Sequence, residues 1–462
     1  MSLFLIWNLL AWMAKETNNP YQAPTSTPQQ SQDAERGGYE KTVLWLGATW
    51  FFFILFSYYV LRPIREQISS TYGTENLSKL FIATFVVMLI AIPIYSLLVG
   101  KFHRSRLVPS VYVFFIFNLI LFWIGMKYCP AESQIWVSRA FFVWISVYGL
   151  FIVSFFWSVI GDMLSTEQGR RLFGFVAGGG TAGGMVASAT TTELVQRIGQ
   201  ANLLLLPAVA LAIGLAVYFG LEQSHSQLAP KSSSATSGKA TGGNPFSGFT
   251  AVFSSRYLLA IGGYGLLLAT CGTTIYFQQS EIVKEAFADD ESKTAFFANV
   301  NLWVQVVTIV LQTAVVGRLM KYLGLGLTLA ILPLAYVLGI TSLALAPTIG
   351  VLAIISVTGR SAEYAIANPA REVLFTAVDR EDRYKAKSFI DTIVRRGGDS
   401  VVGTIYRSLR EVTGVAMTTL SWAILPIAAA WVGLALFIGR ENKKITATEQ
   451  DNTDTNSRLI DN

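Results

Sequence analysis

Histidine and cysteine are nearly missing from this chain of 462 residues, which has two of each. Cys129 and Cys271 are far apart in different segments, which excludes a disulfide framework and a cysteine-based metal centre. His103 and His225 are isolated in expected loops, so no metal site is expected. Charge is scarce too: Asp, Glu, Lys and Arg make up 14% of the chain, against roughly 25% in a soluble domain. That deficit argues against a soluble enzyme. No glycine-rich run ends in Gly-Lys-Ser/Thr, so there is no phosphate loop and no ATPase site. Neither catalysis nor a cofactor or prosthetic group is expected.

What the chain does have is apolar length. Hydrophobic residues make up 52% of it and fall into a dozen blocks of about 20, each long enough to cross a hydrocarbon core of about 30 Å as a helix. Spans are expected near Thr42 to Leu61, Leu80 to Val99, Leu107 to Met126, Trp136 to Ile160, Leu172 to Ala189 and Leu203 to Phe219. A second set follows near Tyr257 to Phe277, Phe296 to Val316, Leu325 to Ala346, Ile349 to Ile366, Phe389 to Leu409 and Val415 to Ile438. The expected fold class is an all-α polytopic membrane protein of 12 transmembrane helices in two six-helix halves. Its layout is similar to that of major-facilitator transporters, whose halves rock around a site near the bilayer midplane.

The expected organisation is a disordered cytoplasmic tail at 1–41, a first bundle at 42–221, a linker at 222–252, a second bundle at 253–440 and a cytoplasmic tail at 441–462. The linker is rich in Ser, Gly, Ala and Thr and cannot bury enough apolar surface to fold alone. Met1 to Ala14 is apolar but too short to span and lacks a basic leader region. It either lies in the interface or precedes a true start at Met13, and the polar, proline-bearing stretch from Ala14 to Gly38 favours the second reading.

The net charge of +6 first reflects topology. Short loops after even-numbered spans carry 12 Lys and Arg residues, and those after odd-numbered spans carry 8. The positive-inside bias puts both termini and the linker in the cytoplasm of a cell that holds the protein in its inner membrane. Nothing in this distribution calls for nucleic acid. The sequence is compatible with a monomer and leaves the oligomeric state open.

Charges inside the spans are the informative remainder, because each costs at least ~2.5 to 3.5 kcal/mol at the bilayer centre unless protein or water surrounds it. Tyr58-Tyr-Val-Leu-Arg-Pro-Ile-Arg-Glu66 places Arg62, Arg65 and Glu66 at spacings of three and four, on one face if Pro63 only bends the helix. The plainer reading is an interfacial basic cluster. Arg360 and Glu363 form an i, i+3 pair, a structural bridge or part of a gate. Asp391, Arg395, Arg396 and Asp399 form a ladder at a spacing of about four, with Gly397 and Gly398 between. A one-faced ladder of this kind lines a cavity more often than it merely packs.

Arginine forks match phosphate or carboxylate oxygens, so a small anion is the expected substrate. Tyr58, Tyr59, Trp157, Tyr276, Phe277 and Trp303 lie near these charges and are candidates to stack on a nucleobase, although most aromatics in such a chain face lipid or core. Gly178, Gly180 and Gly183 spell Gly-x-Gly-x-x-Gly, a dinucleotide fingerprint only after a strand in a βαβ unit. Within an apolar span they are instead a surface for close helix packing.

Three segments resemble the bacterial and plastid ATP/ADP translocase family of nucleotide transporters. They are Leu61-Arg-Pro-Ile-Arg-Glu66, Ser165-Thr-Glu-Gln-Gly-Arg-Arg-Leu-Phe-Gly-Phe-Val-Ala-Gly-Gly-Gly180, and Arg371-Glu-Val-Leu-Phe-Thr-Ala-Val-Asp379 followed by Lys385-Ala-Lys-Ser-Phe-Ile-Asp391. The resemblance implies that Arg62, Arg65 and Glu66 stand where the family places substrate contacts, and that Lys385, Lys387 and Asp391 fall on its second charged cluster. Arg65 and Glu66 replace a lysine and an aspartate, which keeps charge but changes reach. With Arg395 and Arg396, these residues form the expected substrate site of an antiporter exchanging ATP and ADP. A proton-coupled carrier of a smaller organic anion or phosphate, and a scaffold whose charges are structural bridges, are the alternatives.

Overall fold

The computed structural model describes residues 29–164, 166–228, 252–378, 383, 386–387 and 389–460, with side chains from 40 to 447 except 165–171 and 225–228. The described chain is helical almost throughout. Helices α1 (Gln29–Thr71), α2 (Gly73–Lys101), α3 (Arg104–Tyr128), α4 (Ala131–Met163), α5 (Thr166–Ile198) and α6 (Leu205–Leu228) come first. They are followed by α7 (Arg256–Ala286), α8 (Asp290–Ala314), α9 (Val316–Leu345) and α10 (Ile349–Phe375), the last with a π-helical turn at Glu363–Ala367. The helical run 390–412 is α11, with π-helical turns at Ile390–Gly397 and Ser408–Val412, and α12 is Met417–Ile460.

Helix is the form these apolar segments must take, because backbone groups in hydrocarbon have no water to bond and pair within the segment. Eleven helices among the described residues are long and apolar enough to cross a membrane, where twelve spans were expected. The difference is α11, which carries the charged ladder and is interrupted by its π-helical turns. The chain is a multi-pass membrane protein. Its outward surface fits lipid: Trp45, Leu97, Trp136 and Leu338 are each more than 60% exposed, which in water would be an aggregation surface.

The tail expected at 1–41 is helical from Gln29, since the Gln, Ala, Glu and Lys residues before Thr42 let the membrane helix run on. The tail expected at 441–462 is likewise helical as far as Ile460. Met13 and most of the expected linker lie outside the described residues, and 222–228 are the last turns of α6.

The chain divides into two compact units. One comprises Met1–Ile68, Val87–Thr241 and Asp289–Gln305. Its core is aromatic: Phe51 stacks on Phe156 at 4.3 Å between ring centres, and the Trp50 indole N–H donates to the Tyr112 hydroxyl at 2.8 Å. Against α1 lies the glycine run of α5. A methyl group added at Gly183 would sit 2.1 Å from the Phe52 carbonyl oxygen, and one at Gly180 2.2 Å from the Phe51 ring. Gly178 needs correcting as a packing residue, because its side faces open space while Gly179, one residue on, meets the Ala48 backbone.

The other unit comprises Ser69–Val86, Gly242–Ala288 and Val306–Asn462. Trp431 of α12 lies edge-on to Tyr264 of α7 at 5.2 Å and to Tyr336 of α9 at 5.4 Å. α9 and α12 cross where Gly326 and Gly439 touch backbone to backbone, a contact that admits no side chain at Gly439. Polar groups on the apolar helices turn back on their own backbone, as Thr341 does to the Val337 carbonyl at 2.8 Å.

These contacts predict opposite outcomes for neighbouring glycines. Gly183→Ala should lower the thermal midpoint of the purified protein by the equivalent of ~1 to 3 kcal/mol, the usual cost of overpacking. Gly178→Ala should leave the midpoint unchanged or raise it, since alanine is favoured over glycine in a helix interior by ~0.5 to 1 kcal/mol.

Candidate functional site

In the first unit the charged end of α1 is continuous helix through Pro63. The proline withholds one backbone donor from the turn before it, yet the spacing beyond it holds. The Arg62 Nε donates to Glu66 Oε1 at 3.1 Å, and Asn301 Nδ2 from α8 donates to Glu66 Oε2 at 3.2 Å. Both oxygens of a carboxylate only 2% exposed are thereby satisfied. Arg65 turns elsewhere, toward α4. Its Nε donates to the Phe142 carbonyl at 3.3 Å, and its guanidinium lies 4.1 Å from the centre of the Phe142 ring. No carboxylate among the described residues pairs with it. A neutral carbonyl and a ring face hold the Arg65 fork without cancelling its charge.

In the second unit the ladder of α11 meets partners on α7 and α10. Asp391 Oδ1 accepts from Arg371 Nη2 at 2.8 Å, Arg395 Nη2 donates to Glu363 Oε1 at 3.0 Å, and Asp399 Oδ1 accepts from the Thr273 hydroxyl at 2.8 Å. Lys387 Nζ donates to Glu372 Oε2 at 2.6 Å. Arg371 and Glu372 are almost wholly buried, at 2% and 4% exposure. Lys385 lies outside the described residues. Arg360 and Arg396 are both half-buried. Glu363, expected to pair along its own helix with Arg360, accepts across to Arg395 of α11 and opens the π-helical turn of α10.

Several of these partners escape a reading of span charges. Arg371 and Glu372 look like loop residues by hydropathy, but α10 runs on past Pro369 to Phe375 and buries both. Asn301 is uncharged, and its signal is a stripe of buried polar residues on α8: Thr294, Asn301, Gln305 and Thr308 recur at helical spacing. Among the candidate aromatics, Trp157 and Phe277 are fully buried core, while Trp303 is 54% exposed on the outer surface.

Residues 329–441, which hold α10, α11 and the ion pairs between Arg371, Glu372, Glu363 and their partners, match the family model described as TLC ATP/ADP transporter. The similarity is to ATP/ADP translocases. ADP,ATP carrier protein 1 of Chlamydia trachomatis is 24% identical over 209 residues, 40% of this chain and 39% of the relative. ADP,ATP carrier protein 1 of Chlamydia muridarum is 23% identical over the same lengths. The match therefore spans about two fifths of each carrier's own length. By fold, the chain is similar to the crystal structure of the POT family transporter PepTSo, with a TM-score of 0.57 at 13% identity, covering 88% of this chain and 98% of that one. At that identity the likeness is one of fold alone.

Breaking the pair between Glu372 of α10 and Lys387, just before α11, tests its structural role. Glu372→Gln, which strands the Lys387 ammonium, should destabilise the protein by ~3 to 5 kcal/mol. Replacing both, as Glu372→Leu with Lys387→Met, should recover most of that loss. Thermal midpoints of the purified variants provide the check.

Proposed function

We propose that the protein is a secondary transporter that exchanges nucleotides, ATP against ADP, across a bacterial inner membrane by alternating access, with both termini cytoplasmic. Arg65 carries this reading: it is a half-buried cation in an apolar helix with no carboxylate among the described residues to pair with. Such a charge is expensive in a membrane, and an anionic ligand offsets that cost. The guanidinium fork fits two phosphate oxygens at once. Arg62 shares the motif, and a phosphate would compete with Glu66 for it. Arg395 and Arg396 are assigned the same role in the second unit, where Glu363 holds Arg395 in the meantime.

Lys387 and Asp391, each already in an ion pair, act in this reading by fixing α11 against α10. ATP carries about one more negative charge than ADP, as each phosphate adds ~1 to 2 charges near neutral pH, so exchange of one for the other is electrogenic.

The proton-coupled alternative needs a carboxylate that gains and loses a proton. Its candidates Glu66, Glu363 and Asp391 are each already engaged by a cation, at 3.1, 3.0 and 2.8 Å.

Labelled ATP should enter proteoliposomes preloaded with ADP and not empty ones. Absence of exchange with any nucleotide overturns the proposal. Arg65→Ala should reduce exchange about 10- to 100-fold, the loss of ~1.5 to 3 kcal/mol expected for hydrogen bonds between charged groups. Arg65→Lys should retain part of the activity, because it keeps the charge and loses the fork.

A further inference from the structure

Within the second unit, α7, α9 and α10 enclose a cavity of about 60 Å³, lined by Tyr276, Gln279, Tyr336, Ser356, Gly359 and Arg360 among others. That is room for roughly four to six water-sized spheres at ~10 to 15 Å³ each. No carboxylate lines it, and two tyrosine rings and aliphatic side chains form most of its wall. Gln279 is 97% buried, at 3% exposure. Its Oε1 accepts from the Ser356 hydroxyl at 3.3 Å, which orients the amide, and its Nε2 has no partner. A membrane protein with apolar residues to spare has no structural need for a glutamine there. Gly359 leaves one side of the cavity without a side chain, so a flat group can lie against the helix backbone.

The composition discriminates between parts of a nucleotide. A polyphosphate chain needs several cations and many donors, whereas this cavity offers mostly apolar wall, one neutral amide and a single guanidinium. A planar heteroaromatic ring needs the opposite: flat apolar walls, aromatic faces and one or two groups to read its edge. An amide N–H donates to a ring nitrogen or carbonyl acceptor, and a glutamine is suited to an adenine edge because it offers donor and acceptor side by side.

We propose that this cavity is the base-recognition subsite of the transporter, with Gln279 as its specificity-determining residue, Ser356 orienting the amide and Tyr276 and Tyr336 forming the walls. It rests on the nucleotide reading above, and it adds a place for the base apart from Arg62 and Arg65.

Equilibrium binding to the purified full-length protein tests it, with ATP, GTP, CTP and inorganic diphosphate, which has no base, as probes. Gln279→Leu should weaken ATP binding about 10-fold or more and level the order of preference among the three nucleotides, while diphosphate binds as to the unmodified protein. Retained diphosphate binding shows that the variant is folded. Should Gln279→Leu fail to fold, Ser356→Ala, which frees the amide to rotate, should give a smaller loss of ATP affinity in the same direction.

Equal losses for ATP and diphosphate, or an unchanged order of nucleotides, overturn the proposal, as does an unmodified protein that binds no nucleotide. Binding of ATP with the Gln279 effect, but no exchange in proteoliposomes, sustains the subsite and overturns only the transport reading.

Discussion

A charge on a membrane-spanning helix is costly unless protein or water compensates it, and that cost shapes both units. In the first, Glu66 draws Arg62 from its own helix and Asn301 from α8. In the second, the charges of α11 are matched by Arg371 and Glu363 from α10 and by Thr273 from α7, while Glu372 takes Lys387. Lipid gives helices little reason to prefer one apolar neighbour to another, since its tails are as apolar as leucine. Polar pairs and glycine contacts supply that choice. The α5 glycines bring α5 onto α1, and Gly326 against Gly439 brings α9 onto α12, at separations any larger residue would prevent.

On the function proposed above, the same pairs bear on how a bound anion would act. An ion pair in a dry interior is costly to open if one partner is left alone, and far less so if a new partner replaces the old. A phosphate that takes Arg62 from Glu66 leaves the carboxylate with Asn301 as its hydrogen-bond donor, so the exchange of partners is stepwise. Arg65 has no carboxylate among the described residues to give up, so in that reading it is the contact a ligand would gain at the least cost. A ligand shifts a conformational equilibrium only by its difference in affinity for the two states, and groups already paired in one state are where such differences arise.

Most of the architecture was legible because it rests on apolar length, a property of composition. The helices lie where the hydropathy blocks are, and the charged motif of α1 holds its i, i+4 pair through Pro63, whose missing backbone donor falls in the turn before it. Partners were harder to see. Spacing along α10 puts Glu363 beside Arg360 but says nothing of Arg395, 32 residues on, to which the Glu363 carboxylate also reaches. Gly178 and Gly179 have the same composition and opposite surroundings, because about 100° of rotation separates consecutive residues of a helix. Asn301 and Gln279 were missed for a different reason: they are uncharged, and their meaning comes only from what they touch.

The irregular turns and the ion pairs are not independent features. Glu363 opens the π-helical turn of α10, and Arg395 lies within the first π-helical turn of α11, so one bridge joins the two. π-helical turns have less favourable backbone hydrogen bonding than α-helix and occur mostly as single widened turns near functional sites. The charge pair thus joins the widened turn of one helix to that of the other. An anion that drew Arg395 away from Glu363 would act on charge and on helix geometry at the same two places. In the transport reading proposed above, that juxtaposition is where the ladder would respond to an anion and not only pack.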